Sequence, residues 1–218
     1  MQSKLQLEHL KPVINSLQRT YGNSKLNAVY GAGCIHNPKI LLLFMNPTAT
    51  NISAFSDWKG LIAPWIGTKN IWKLLNSFGL FDDELAKTIK DNPISIWTND
   101  FALKVYADIA NRSIYITNLA KCTQNDARPL KDKVFKEYLL NTLEEIYEID
   151  PEIVIAFGNQ VSSILLDKKI TVSNYKKTER ESLVIKDKQF DVYPCYYPVG
   201  QGMRNIKKAT NRIKAILD

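Results

Sequence analysis

Apolar positions along the chain fall into two rhythms. After Lys39 every residue from Ile40 to Met45 is apolar, and the run stops at Asn46-Pro47. Such a run predicts a strand buried on both faces. Pro47 has no N–H and pushes Asn46 out of helical geometry, so this strand delivers a polar amide at its carboxyl end. Further short apolar runs predict strands at about 113–118, 152–157 and 191–196. The first of these again ends in Asn (Asn118), the second runs into Gly158, and the third leads to Tyr197.

Elsewhere apolar residues recur at helical spacing. Leu5, Leu7, Leu10, Val13, Ile14 and Leu17 predict a helix over 4–20 that Gly22-Asn23 closes. Helices are also expected from Ile71 to Phe78, after Asp82-Asp83-Glu84, from Thr98-Asn99-Asp100 through Ala110, over about 131–149, and from Gly158 to Leu166. A basic C-terminal helix carrying Lys207, Lys208, Arg212 and Lys214 follows Gly200-Gln201-Gly202. Residues 30–34 read as a Gly-containing loop, 46–68 as a long irregular loop of the kind that more often carries function than not, and 183–190 as a small hairpin. Strands separated by helices, with connections too long for hairpins, imply parallel pairing in an α/β protein. The reading is one domain over 1–218, with 1–22 packed on it as an N-terminal helix and a central four-stranded parallel sheet. Ligands of such sheets sit beyond the strand carboxyl ends. Those ends present Asn46, Asn118, Gly158 and Tyr197.

Composition changes this picture little. At 45% apolar and 23% charged over 218 residues the chain is ordinary for a globular protein. No apolar run approaches the roughly 20 residues of a bilayer span, and Met1 to His9 has no hydrophobic leader segment. Cys34, Cys122 and Cys195 are scattered, with no paired spacing, which favours reduced thiols and a cytoplasmic location. The formal charge of +7 favours a polyanionic partner. A monomer without membrane contact is expected, nucleoid-associated if prokaryotic.

The candidate chemistry lies in short motifs. Phe44-Met-Asn-Pro-Thr48 resembles the Gly-Met-Asn-Pro-Gly motif of the single-strand-selective and mismatch-specific branches of the uracil-DNA glycosylase superfamily. Pro64-Trp-Ile-Gly67 is similar to the Pro-Phe-Val-Gly of its iron–sulfur branch. Tyr115-Ile-Thr-Asn-Leu-Ala-Lys-Cys122 resembles that branch's Tyr-Ile-Thr-Asn-Val-Val-Lys-Cys, and Asp150 to Gly158 its next strand. Tyr196-Tyr197-Pro198-Val199-Gly200 falls where the family has His-Pro-Ser-Pro. Order and spacing, from about residue 38 onward, make the set specific. The resemblance implies a three-layer α/β/α fold and a monofunctional DNA glycosylase of base excision repair. It would cut the N-glycosidic bond of uracil or another deaminated or damaged base. The alternative is a catalytically weak or inactive member that binds nucleic acid, or a nucleobase or nucleotide, without excision. A metabolic hydrolase on the same scaffold is disfavoured by the lack of an acidic pair or a histidine near the site.

By the same resemblance, Asn46 would hold the attacking water through its side-chain carbonyl, and Tyr197 would stand in for the family histidine at the leaving base. Met45, Trp65 and Asn118 would bind the base, Trp65 by stacking and Asn118 by reading the pyrimidine edge. Against these stand a loop-anchoring Trp65 and an Asn118 that caps the following turn. Gly158 and Asn159 would offer backbone N–H groups to a DNA phosphate, or simply form a strand-to-helix turn. Gln201, Met203 and Arg204 occupy the place of the wedge loop. Lys207 and Lys208 would line the DNA, or form a solvated face. Asp57 is a reserve candidate for water activation, or a surface acid. The chain departs from the pattern in three places. Its histidines, His9 and His36, lie far from the fourth strand; Phe44 and Thr48 replace glycines, which would reshape the pocket; and Tyr138 stands where the cysteine after Cys122 would be. No iron–sulfur cluster, metal or other cofactor is expected.

Overall fold

The computed structural model describes residues 7–128, 130–199 and 204–217. Its strands are β1 (Ala32–Gly33), β2 (Ile40–Phe44), β3 (Ile114–Asn118), β4 (Ile153–Phe157), β5 (Glu181–Ile185) and β6 (Lys188–Cys195), in the order β1-β3-β2-β4-β6-β5. All five residues of β2 are buried, as an apolar run at the middle of a two-sided sheet requires. Removing each of its Leu or Phe side chains from water contributes on the order of 1.5–3 kcal/mol.

The helices are α1 (Lys11–Tyr21), α2 (Asn70–Ser77), α3 (Asp83–Asp91), α4 (Asn99–Asn111), α5 (Asp132–Ile149), α6 (Asn159–Leu165) and α7 (Ile206–Leu217). Asp82 and Thr98 cap α3 and α4, accepting from Leu85 N and Phe101 N. Alternation along the strands splits the core in two. Ile40, Leu42, Phe44, Ile116, Ile155 and Phe157 face α2, α3, α4 and α7. Leu41, Leu43, Tyr115, Val154 and Ala156 face α1, α5 and α6. Helices therefore cover both faces of the sheet.

Among the described residues the sheet has six strands, not the expected four. β3, β2, β4 and β6 pair in parallel, and an antiparallel strand is added at each edge. β1 was hidden because two residues among glycines carry no periodicity, and only its partner β3 defines it. The predicted hairpin and fourth strand are continuous. β6 runs unbroken from Lys188 to Cys195, pairing with β5 on one side and with β4 on the other. A two-residue turn at Lys186-Asp187 reverses the chain, with Lys186 at φ +54°. At the N-terminus a single 3-10 turn, Glu8–Leu10, precedes α1; Leu5, assigned there to the helix, lies outside the described residues.

Candidate active-site cleft

A cleft of about 870 Å³ opens at the carboxyl ends of β2 and β3 and is closed on another side by the segment after β6. Met45, Asn46, Trp65, Asn118 and Tyr197 all line it. Phe44 and Asn118 are paired across adjacent parallel strands, which brings Asn46, two residues beyond Phe44, to the same end of the sheet as Asn118. Asn46 Nδ2 donates to Pro47 O at 3.0 Å. That bond identifies the nitrogen and leaves Oδ1 with no hydrogen-bond partner among the described residues.

Asn118 is 2% exposed, lines the cleft, and likewise has no side-chain hydrogen bond among the described residues, so it is not a turn cap. Trp65 adopts φ +66°, a left-handed conformation that a bulky side chain rarely takes. Its carbonyl accepts from Thr68 N at 3.1 Å, Thr68 Oγ1 at 2.7 Å and Trp72 Nε1 at 3.2 Å, and Tyr106 OH donates to the preceding Pro64 O. These bonds over-determine the strained backbone. The Trp65 indole Nε1 is buried without a hydrogen-bond partner among the described residues.

The loop 46–68 is less irregular than its composition suggests. Asn51 accepts from Ser53 N and Ser53 Oγ and donates to Ala63 O at 2.8 Å, and Ile52 N donates to Ile66 O. This internal lacing carries Trp65 back over the strand ends. Phe44, in place of the motif glycine, is fully buried beneath the cleft. Its ring stacks on Phe157 at 4.6 Å and meets Trp65 and Tyr197 edge-on at 5.0 and 6.0 Å. It supports the two aromatic walls without filling the space between them. Burial pushes the Tyr197 phenol well above its ordinary pKa, and its hydroxyl has no partner among the described residues.

The other candidates lie elsewhere. Gly158, at φ +94°, donates its N–H to Cys195 O at 2.8 Å, and a Cβ there would lie 3.8 Å from the Tyr197 ring. The Asn159 side chain turns inward to accept from Val172 N. Arg204, Lys207 and Lys208 are exposed and do not line the cleft; Lys208 lies over the Tyr196 ring. Gln201 and Met203 lie outside the described residues. Asp57 is exposed and away from the cleft. Arg212, read as part of the basic face, is instead 5% exposed and donates to the carbonyls of Pro194, Lys177 and Glu179. Helical spacing alone cannot separate a solvated arginine from one that caps loop carbonyls.

A buried polar hub behind Asn118 was not foreseen. Thr117 Oγ1 and Tyr115 OH donate to Glu145 Oε1 at 3.0 and 2.8 Å. Lys121 Nζ bonds Glu145 Oε2, Thr142 Oγ1 and, at 2.6 Å, the backbone carbonyl of Asn118. Burial and then the Glu145 carboxylate hold the Tyr115 phenol far above its usual pKa, so it acts as a donor. Three residues of the Tyr-Ile-Thr-Asn-Leu-Ala-Lys motif thus converge on one carboxylate and tether the strand end that carries Asn118. The available signal was in α5: Tyr138, Thr142, Glu145 and Ile149 share one helical stripe, and all are buried. Cys122 and Tyr138 are neighbours in that same core, and a tyrosine, which is no iron–sulfur ligand, stands beside the one cysteine there. A cluster does not fit these residues. Among the described residues no three His, Cys, Asp or Glu side chains gather as a metal-binding group.

A sheet whose four central strands run parallel, with a cleft at their carboxyl ends, defines an α/β protein with a cleft where ligands of that class usually sit. The family model for the uracil DNA glycosylase superfamily matches residues 30–218, and the chain belongs to that superfamily. Comparison with curated proteins finds no match. No helix among the described residues is long and apolar enough to cross a membrane.

Proposed function

We propose that the protein is a monofunctional DNA glycosylase that hydrolyses the N-glycosidic bond of uracil or another deaminated or damaged base. One observation carries this reading: Asn46 Oδ1, Trp65 Nε1, the Asn118 amide and Tyr197 OH belong to cleft residues, and none has a partner among the described residues. Of these, only Trp65 Nε1 is sealed from solvent; the others face the open cleft, where a polar ligand can take the place of water as their partner.

Each group has a part in the chemistry. A base flipped from the strand enters the cleft against Trp65. Asn118 donates to O4 of uracil and accepts from its N3–H; cytosine, with an amine at C4 and no proton at N3, leaves both mispaired. Asn46 Oδ1 orients a water beneath C1′; an amide is too weak a base to deprotonate it. Bond cleavage generates an oxocarbenium-like sugar and an anionic base, and Tyr197 donates to O2 as charge develops there.

A second reading, binding without excision, draws on the same cleft. Its ionisable lining residues are Asp126, Arg128 and Tyr197, and the first two bond each other. Among the described residues lining the cleft, the one carboxylate, Asp126, is paired with Arg128 and no imidazole is present, so none stands ready as a general base. Incubation with oligonucleotides bearing uracil, hypoxanthine or xanthine separates the readings. Excision leaves alkali-labile abasic sites, whereas the second reading requires retention of the oligonucleotide with none formed.

A further inference from the structure

Residues 125–128 form one wall of the cleft, and Gln124 before them is fastened directly to the loop that carries Asn46. Gln124 N donates to Pro47 O at 3.0 Å and Ala49 N to Gln124 O at 2.8 Å, a parallel bridge between Thr48 and Gln124. Gln124 Nε2 donates to Tyr21 O at 2.8 Å, anchoring the segment to α1 as well. These bonds fix Gln124, at the head of the segment, in register with the residues that follow Asn46.

Among the described residues lining the cleft, Arg128 is the one cation. Its side chain is 85% exposed, yet it is not left to wander. Asp126 Oδ1 accepts from Arg128 N at 3.0 Å and from Nε at 2.9 Å, Oδ2 accepts from Nε at 3.0 Å, and Nη2 lies 2.8 Å from Oδ2 as an ion pair. The carboxylate thus occupies one edge of the guanidinium and leaves Nη1 with no partner among the described residues. Exposed ion pairs add little to folding stability, so holding the chain together does not account for so full a set of contacts. A guanidinium oriented in advance, with a donor still unbonded at the rim of the cleft, matches the needs of a tetrahedral oxyanion.

We infer that Arg128 is a phosphate anchor, which binds a backbone phosphodiester of the strand whose base occupies the cleft, and that Asp126 aims it while limiting its grip. This rests on reading the cleft as a nucleotide site. The two residues then have opposite effects on binding. Removing the guanidinium removes the attraction. Converting Asp126 to Asn keeps an acceptor for Arg128 N and removes a negative charge that repels the phosphate.

The test is fluorescence anisotropy of a labelled single-stranded oligonucleotide containing one uracil, titrated over a salt series with the parent, Arg128→Gln and Asp126→Asn, alongside steady-state excision. Arg128→Gln should weaken binding about tenfold at low salt. It should also lower the magnitude of the log–log salt slope by about 0.7, one single-strand phosphate contact. Asp126→Asn should tighten binding at every salt concentration. In excision, Arg128→Gln should raise KM and leave kcat near the parent value. An unchanged slope in Arg128→Gln, or a shift of both variants in the same direction, overturns the anchor. If the parent excises while the slope is unchanged, the anchor fails and the glycosylase reading stands. If the parent releases no base but the variants shift oppositely, the excision reading fails and the anchor stands. A parent that binds no oligonucleotide defeats both.

Discussion

On the proposed reading, Tyr197 and Asn118 are the two side chains on which the chemistry turns. Burial raises the Tyr197 pKa, so the phenol keeps its proton through the neutral and mildly alkaline range. A hydrogen bond donated to O2 is available throughout that range, and the sign of the shift predicts a rate that does not fall with deprotonation of this group below about pH 10. A pH–rate profile with a fall between about pH 8 and 9 that disappears in Tyr197→Phe would place its titration there instead. Removing the donor as Tyr197→Phe should cost on the order of 100- to 1000-fold in excision rate, while Tyr197→His retains part of it. Should Tyr197→His instead exceed its parent, the phenol is an obstruction. Asn118→Asp is the matching test of base reading: a carboxylate accepts from the cytosine amine and repels O4, so preference should move from uracil toward cytosine. Competition between the two oligonucleotides measures it, and an unmoved ratio assigns the edge reading to another residue.

Among the elements, β3 and α5 depend on each other through charge as well as packing. Lys121 and Glu145 are 1% and 4% exposed at their side chains, and removing one partner leaves the other buried and uncompensated. Lys121→Met alone should therefore destabilise the protein by about 3–5 kcal/mol in urea unfolding, and adding Glu145→Leu should recover part of that loss. A single variant within about 0.5 kcal/mol of the parent would show that water reaches the hub. Arg212 plays a comparable part for α7, joining it to β6 and to the turn before β5 through three carbonyls.

For the molecule as a whole, the +7 charge is not concentrated in the cleft. Lys207 and Lys208 stand on α7, exposed, beyond the cleft lining. If DNA extends across α7, the double variant Lys207→Gln/Lys208→Gln should lower the salt slope by about 0.9 per duplex phosphate or 0.7 per single-strand phosphate. The preferred base should stay the same, because phosphate contacts position a strand without reading it. An unchanged slope assigns these lysines to a solvated face.

The sequence alone determined the four core strands, most helix bounds and the polar residues at the strand ends, because each follows from neighbours close along the chain. Side-chain alternation, capping by Asp82 and Thr98, and the stop at Asn46-Pro47 are local physics. Asn46 and Asn118 could be placed near each other because parallel strands that end alike bring their ends together. Only the tertiary structure decided the rest. β1 exists through β3, and β6 is one strand because β4 and β5 flank it. Arg212 is a strut because three carbonyls surround it, and Glu145 gathers Tyr115, Thr117 and Lys121 from 24 to 30 residues away. A buried polar group takes whichever partner the fold presents, and that choice is made between segments that sequence spacing does not connect.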